Sequence, residues 1–228
     1  MLTTRNGLFT AALTGALAAQ VPVFAAEQPW HVSGFLSQTL ISTSENNFFG
    51  HTDDGLSPGY AEAGLLMAGK LSSALELSSQ LLMRHAGELD DGRPRVDHLL
   101  VTYRLEDDFD RTQGLRVGRG KQHFGLYNET RDVPFTRPGI LMPQSTYYDR
   151  ARNTLLIADE ISYFIDAREE SGFYSFAIGI FRSLPDKTEL TDYFAANNSI
   201  QTESGTGSGM QFTWRSPLEQ WFIGITAG

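Results

Sequence analysis

Residues 118–153 read GRGKQHFGLYNETRDVPFTRPGILMPQSTYYDRARN, and the rest of the chain is best understood from this stretch. Pro134, Pro138 and Pro143 exclude a continuous strand or a long helix. Arg131, Arg137, Arg150 and Arg152 stand against Glu129, Asp132 and Asp149, and Tyr127, Phe135, Tyr147 and Tyr148 supply apolar bulk for packing. A long loop able to pack on itself is usually functional, and this composition is not that of a disordered segment. Strand-like segments flank it on both sides. The stretch is therefore expected to fold back into the mouth or lumen of a β-barrel.

Outward from the loop, apolar residues recur with period 2. The clearest case sets Leu75, Leu77, Leu81 and Met83 against Glu76, Ser78, Gln80 and Arg84, which is strand and not helix periodicity. Leu99, Val101, Tyr103 and Leu105 oppose His98, Thr102 and Arg104, and Leu115 and Val117 oppose Arg116 and Gly118. Similar alternation runs through about 60–71, 161–166, 174–180, 210–215 and 220–227. Over 30–43 both rows hold apolar residues, so the facing of that strand stays open. Nine strands are expected.

The connections alternate in length. Long loops fall at 44–59, 87–95, 122–153 and 183–208, and short turns at 72–73, 106–113, 168–172 and 216–219. In an antiparallel meander this sorts long loops to one end and short turns to the other, as in outer-membrane barrels. Strands of about ten residues suit a tilted membrane strand. The expected fold class is all-β, an antiparallel transmembrane β-barrel. It is expected to be incomplete in this chain, because nine strands is an odd number and the chain stops after an aliphatic run; the alternative is that 30–43 is a plug or periplasmic segment, which leaves eight strands.

The 228 residues carry no cysteine, 22 glycines and a formal charge of −9. These values exclude a disulfide scaffold and a Cys-based metal site, and give no footprint for a nucleic-acid partner. Residues 1–25 have Arg5 as their one charge, an apolar run from Leu8 to Ala19, and Val23-Phe24-Ala25 before a cleavage point. They read as a secretory signal peptide in preference to an N-terminal membrane anchor, leaving 26–228 as the barrel segment. No later stretch approaches the ~18 apolar residues of a transmembrane helix.

Gly118, Arg119, Lys121, Gly125-Leu126-Tyr127-Asn128, Thr130-Arg131-Asp132-Val133, Phe135-Thr136-Arg137-Pro138 and the run Pro143 to Asn153 resemble Gram-negative outer-membrane porin-like proteins. The resemblance implies an N-terminal fragment of a barrel of about 16 or 18 strands, often a homotrimer, whose third extracellular loop narrows the pore. The stretch 122–153 is the third long loop here. It further implies outer-membrane localisation, contact with lipid and lipopolysaccharide, and passive diffusion of small hydrophilic solutes without a cofactor.

Candidate constriction and solute-contact residues are Arg131, Arg137, Arg150, Arg152, Glu129, Asp132, Asp149 and Tyr127. Arg84, Arg104, Arg116, Glu62 and Glu76 are expected on the lumen wall. Guanidinium groups in a narrow lumen favour anions, hence an expected weak anion preference. The plainer reading is that the arginines pair with the loop's three acids only to hold its shape.

Enzyme signals are weak. The five histidines show no HExxH spacing, no serine sits in a G-x-S-x-G elbow, and Asp53-Asp54-Gly55 and Asp90-Asp91-Gly92 lack a full Ca²⁺ ligand set. The protein is expected not to be an enzyme. The runner-up is a secreted soluble β-protein that binds a ligand or carbohydrate through its aromatic and arginine-rich loop.

Overall fold

The computed structural model describes residues 14–15, 30–184 apart from 48, 50, 54 and 88, and 204–228. The expected leader, except Thr14 and Gly15, and most of the connector 183–208 lie outside the described residues. Nine strands follow one another: β1 (Trp30–Ile41), β2 (Ser57–Lys70), β3 (Leu75–Ala86), β4 (Arg95–Asp107), β5 (Arg111–Lys121), β6 (Ile157–Glu169), β7 (Gly172–Arg182), β8 (Thr206–Arg215) and β9 (Phe222–Ala227). Each pairs antiparallel with the next in one sheet. Thr14 and Gly15 add a two-residue pairing to Thr39 and Gln38 at the outer edge of β1. The fold is thus all-β and antiparallel, but the expected barrel is not closed: β1 and β9 are not paired to each other.

The long connections all leave one end of the sheet and the short turns the other. At the short-turn end, Ser72 caps the β2–β3 turn by accepting hydrogen bonds on Oγ from the Ala74 and Leu75 amides, at 3.3 and 3.1 Å. The β6–β7 turn needs Gly172, whose φ of +133° and 2.1 Å approach of a would-be Cβ to the Arg215 carbonyl admit no side chain.

The two faces are inverted relative to a water-soluble sheet. On β6, Ile161 is 62% exposed while its neighbours Glu160 and Ser162 are 6% and 1% exposed. Leu36, Leu65, Leu81, Met83, Leu99, Val101, Tyr103, Val117, Ile178, Ile180, Ile223 and Ile225 share the exposed face. The opposite face buries Ser37, Thr39, Glu62, Gln80, Arg84 and Ser162. Registers align these rows: Ser37 faces Glu62, Glu62 faces Arg84, Gln80 faces His98, and Thr102 faces Arg116, which faces Ser162. Trp30, Tyr103, Tyr174 and Trp214 lie toward the short-turn ends of their strands, and Trp221 stands just before β9. Soluble monomers rarely leave so continuous an aliphatic face open.

Phe35 settles the facing of β1. It turns to the polar side because Gly64 opposite leaves the space: a Cβ there would sit 2.2 Å from Phe35 Cε1. Two small clusters gather part of the buried apolar side chains, while Phe35, Leu82, Ile157, Phe164 and Phe181 are buried outside them. Tyr60, Ala86 and Leu89 pack with Ile41, Phe49, Ile140 and Leu141, and Met142, Tyr147 and Leu156 pack together. Both join residues of the loop after β5 to the long-loop end of the sheet or to one another.

Candidate functional site

The segment 122–156, between β5 and β6, lies across the polar face. At its neck, Gln122 N donates to Leu156 O at 3.0 Å. Asn128 Nδ2 bridges the same two ends, donating to Gln122 O at 2.7 Å and Leu156 O at 2.8 Å. The turn closed by Arg131 N to Tyr127 O at 2.8 Å leads into a 3₁₀ turn at Pro134–Thr136, where Pro134 costs no backbone bond. A second 3₁₀ turn at Asp149–Ala151 runs into a π turn at Arg152–Leu156. Tyr147 fixes the loop's two limbs: its hydroxyl accepts from Tyr127 N at 2.9 Å. Gly125 permits this contact, since a Cβ there would stand 2.5 Å from Tyr147 Oη.

Ion pairs fasten the loop to the wall. Arg84 on β3 reaches three acids: Glu62 at 2.7 Å through Nε, Asp132 at 2.9 Å through Nη2 and Asp149 at 2.9 Å through Nη1. Arg131 Nη2 meets Asp149 Oδ1 at 2.6 Å. Arg152 grips Asp132 through Nη1 at 3.0 Å and Nη2 at 2.5 Å, and also pairs with Asp97. Lys121 Nζ lies 2.9 Å from both Asp97 and Asp132. Arg137 pairs with Glu62, with Nη1 to Oε1 at 3.0 Å. Gln144 completes the shell of Asp149, donating to Oδ2 and accepting from its amide, each at 3.1 Å.

Five cations thus enclose four carboxylates in a nearly dry layer, where unpaired charge is expensive and mutual pairing sustains both signs. Burial alone would raise the Asp132 carboxyl, but the charges of Arg152, Arg131, Lys121 and Arg84 outweigh it and hold it well below its ordinary value. Asp149 follows the same balance, with burial opposed by Arg131, Arg84 and Arg152, and is also lowered. Burial pulls the Arg131 guanidinium down, and Asp132 and Asp149 offset part of that.

Of the residues expected at a constriction, Arg131, Arg137, Arg152, Asp132 and Asp149 converge with the wall residues Arg84 and Glu62. Their side chains are buried in mutual pairs that fasten the loop to the wall. Glu129 is more than half exposed, with its Oε1 2.9 Å from His123 Nδ1. Tyr127 is also exposed, and Arg150 is half-buried. Arg104 pairs with Glu76 and Asp107, each at 2.7 Å, and Arg116 lies 4.2 Å over the Phe164 ring.

Beside the ion-pair layer, a cavity of about 440 Å³ opens on the polar face. Its wall includes Arg104, Arg116, His98, His123, Glu129 and Glu160. Sequence reasoning missed Lys121, Asp97, His123 and Glu160. Asp97 turns inward because the β3–β4 register slips there, with Gln80 opposite His98 and Leu81 opposite Val96. The extra residue of a β-bulge leaves the alternation that assigns facing. Lys121 ends its strand, where alternation also stops informing. His123 and Glu160 had a signal available: His123 lies within the quoted stretch and Glu160 on the strand that follows it.

Among the described residues, no group of three His, Asp or Glu could hold a metal ion, and no helix is long and apolar enough to cross a membrane. Comparison with family models, with curated proteins and with solved structures gave no match for this chain.

Proposed function

We propose that this sheet is wall of an outer-membrane, porin-like pore, with the aliphatic face toward lipid and the polar face toward water. The observation that carries the reading is the inversion of the faces: the aliphatic row is open and the charged row is enclosed. Sorted loop lengths and strand-end aromatics support it. A membrane leaves no sheet edge unpaired, so in this reading the edges of β1 and β9 are paired when the sheet is in the bilayer. Lipid and lipopolysaccharide meet the outer face, and a homotrimer is the assembly proposed with it.

The pore passes small hydrophilic solutes by diffusion, without catalysis, and the docked loop 122–156 narrows it. The arginines that suggested anion preference are matched by acids. Around the open cavity, Arg104 is held by Glu76 and Lys121 by Asp97 and Asp132. Arg116 is left facing Glu129, Glu160 and Asp166, a balance that favours cations. Planar-bilayer recording across a KCl gradient tests this. Discrete steps whose reversal potential indicates K⁺ over Cl⁻ are expected. Folded, β-rich protein that gives no steps would remove the pore reading, and Cl⁻ selectivity would remove the charge assignment.

The secreted, ligand-binding alternative requires the aliphatic face to be tolerated in water or covered. No observation favours it over lipid.

A further inference from the structure

The polar-face cavity combines two opposite charges that the ion-pair layer does not consume. Arg116 makes no ion pair among the described residues. Its guanidinium lies 4.2 Å over the Phe164 ring, which fixes the group by cation–π contact and leaves its N–H edge open. Glu160 is 94% buried, lines the cavity, and its Oε2 has no hydrogen-bond partner. Gly120 makes room for this carboxylate: a Cβ there would sit 2.5 Å from Glu160 Oε1. An unsatisfied buried carboxylate costs free energy that a bound cation would recover.

The spacing of the two groups follows from the register. Arg116 pairs with Ser162 and Gly118 with Glu160 across β5 and β6. Arg116 and Glu160 are therefore diagonal neighbours on one face, with their Cα atoms about 7–8 Å apart, and the Arg116 guanidinium reaches to the Phe164 ring, on the side of Ser162 away from Glu160. Glu129, beside His123, adds a second carboxylate on the same side. The volume of about 440 Å³ falls in the range of small-molecule sites.

We infer that this cavity is a recognition site for small zwitterionic solutes long enough for their carboxylate to meet Arg116 and their ammonium Glu160. An extended dipeptide separates its two charges along a chain of ~3.5 Å per residue; an α-amino acid carries both on one carbon and is too short to satisfy both groups. The carboxylate takes the Arg116 fork, and the ammonium takes Glu160 with Glu129. The inference rests on the polar face being water-filled, as in the pore reading, and deepens it by naming a solute class.

The test is calorimetric titration of the detergent-folded protein with glycylglycine, glycine, acetate and methylammonium, alongside bilayer recording of the same preparation. Glycylglycine should bind at least about tenfold more tightly than the other three. Arg116→Gln and Glu160→Gln should each weaken it roughly 10- to 100-fold, as expected for one charge-assisted contact, and Arg116→Lys should restore part of the loss. Equal binding of acetate or of methylammonium, equal binding of glycine, or no binding of glycylglycine would each overturn the proposal. The wild-type series decides even if a variant fails to fold. Conducting channels without glycylglycine binding would reject the site and leave the pore; binding without channels would support the site in a protein that is not a diffusion pore.

Discussion

Replacing Asp132 by Asn tests whether ion pairing, more than apolar packing, holds the loop across the polar face. Asp132 is wholly buried and meets four cations: Arg84 at 2.9 Å, Lys121 at 2.9 Å, Arg152 at 2.5 Å and Arg131 at 3.6 Å. An Asn Oδ1 can still accept from Arg84 and Arg152. Its amide nitrogen would instead face Arg152 Nη2 and Lys121 Nζ, donor against donor, with the carboxylate charge gone. Breaking a buried pair from one side costs about 3–5 kcal/mol. The loop's two apolar clusters are small, so most of that cost should appear as undocking of 122–156. Hydrogen exchange reads it directly. The Arg131 amide, bonded to Tyr127 O at 2.8 Å, should exchange roughly 10²–10³-fold faster, at 1.36 kcal/mol per decade, while β3 and β5 amides stay protected. Asp91→Asn is the control, because its pair with Arg93 is exposed on both sides and such pairs contribute little. A loop in Asp132→Asn as protected as wild type would refute the reasoning.

Other expectations follow from single observations. Asp132 and Asp149 are held below their ordinary values, so their contribution to docking is complete above about pH 5 and is lost as pH falls from there through the depressed values. Loop protection, taken relative to the intrinsic exchange rate at each pH, should thus be flat from pH 7 to about 5 and fall below that; a loss already between pH 7 and 6 would contradict it. Ile161→Arg should lower membrane insertion, at about 2–4 kcal/mol for a cation near mid-bilayer. In a soluble protein the same exposed position would change stability by under ~0.5 kcal/mol, so thermal or urea unfolding in vesicles separates the two. Gly118→Ala should reduce folded yield on heat-modifiability gels, because φ is +136° and the new Cβ would lie 2.2 Å from Leu99 O, a partner-strand carbonyl with no freedom to move.

The strands were legible where alternation is clean. In β3, Leu75 to Arg84 shows its two faces in sequence because each face has one chemistry. In β1 it does not, because the facing of Phe35 depends on Gly64, a partner set by register and not by local pattern. The ion-pair layer was half legible. Arg131, Asp132, Arg137, Asp149 and Arg152 stand close together in the quoted loop, and Arg84 and Glu62 fall on the polar row. Their mutual pairing was not, since it joins β2, β3, a bulge in β4 and the end of β5. The bulge hides Asp97, whose inward turn cancels the strand's own alternation. Arg131, Arg137 and Arg152, which read from sequence as solute contacts, are buried in ion pairs, while Arg116, Glu129 and Glu160 line the cavity beside them.

The central claim is that one face of this sheet meets lipid and the other water. The chain has no cysteine, so single substitutions report cleanly. Along β4, Leu99→Cys, Val101→Cys and Tyr103→Cys lie on the aliphatic face, and Leu100→Cys, Thr102→Cys and Arg104→Cys on the polar one. In protein folded into lipid vesicles, a charged maleimide should label the second set and spare the first. Labelling of Leu99→Cys, Val101→Cys and Tyr103→Cys as fast as of Thr102→Cys would mean that water reaches both faces, and the membrane-wall account would be wrong.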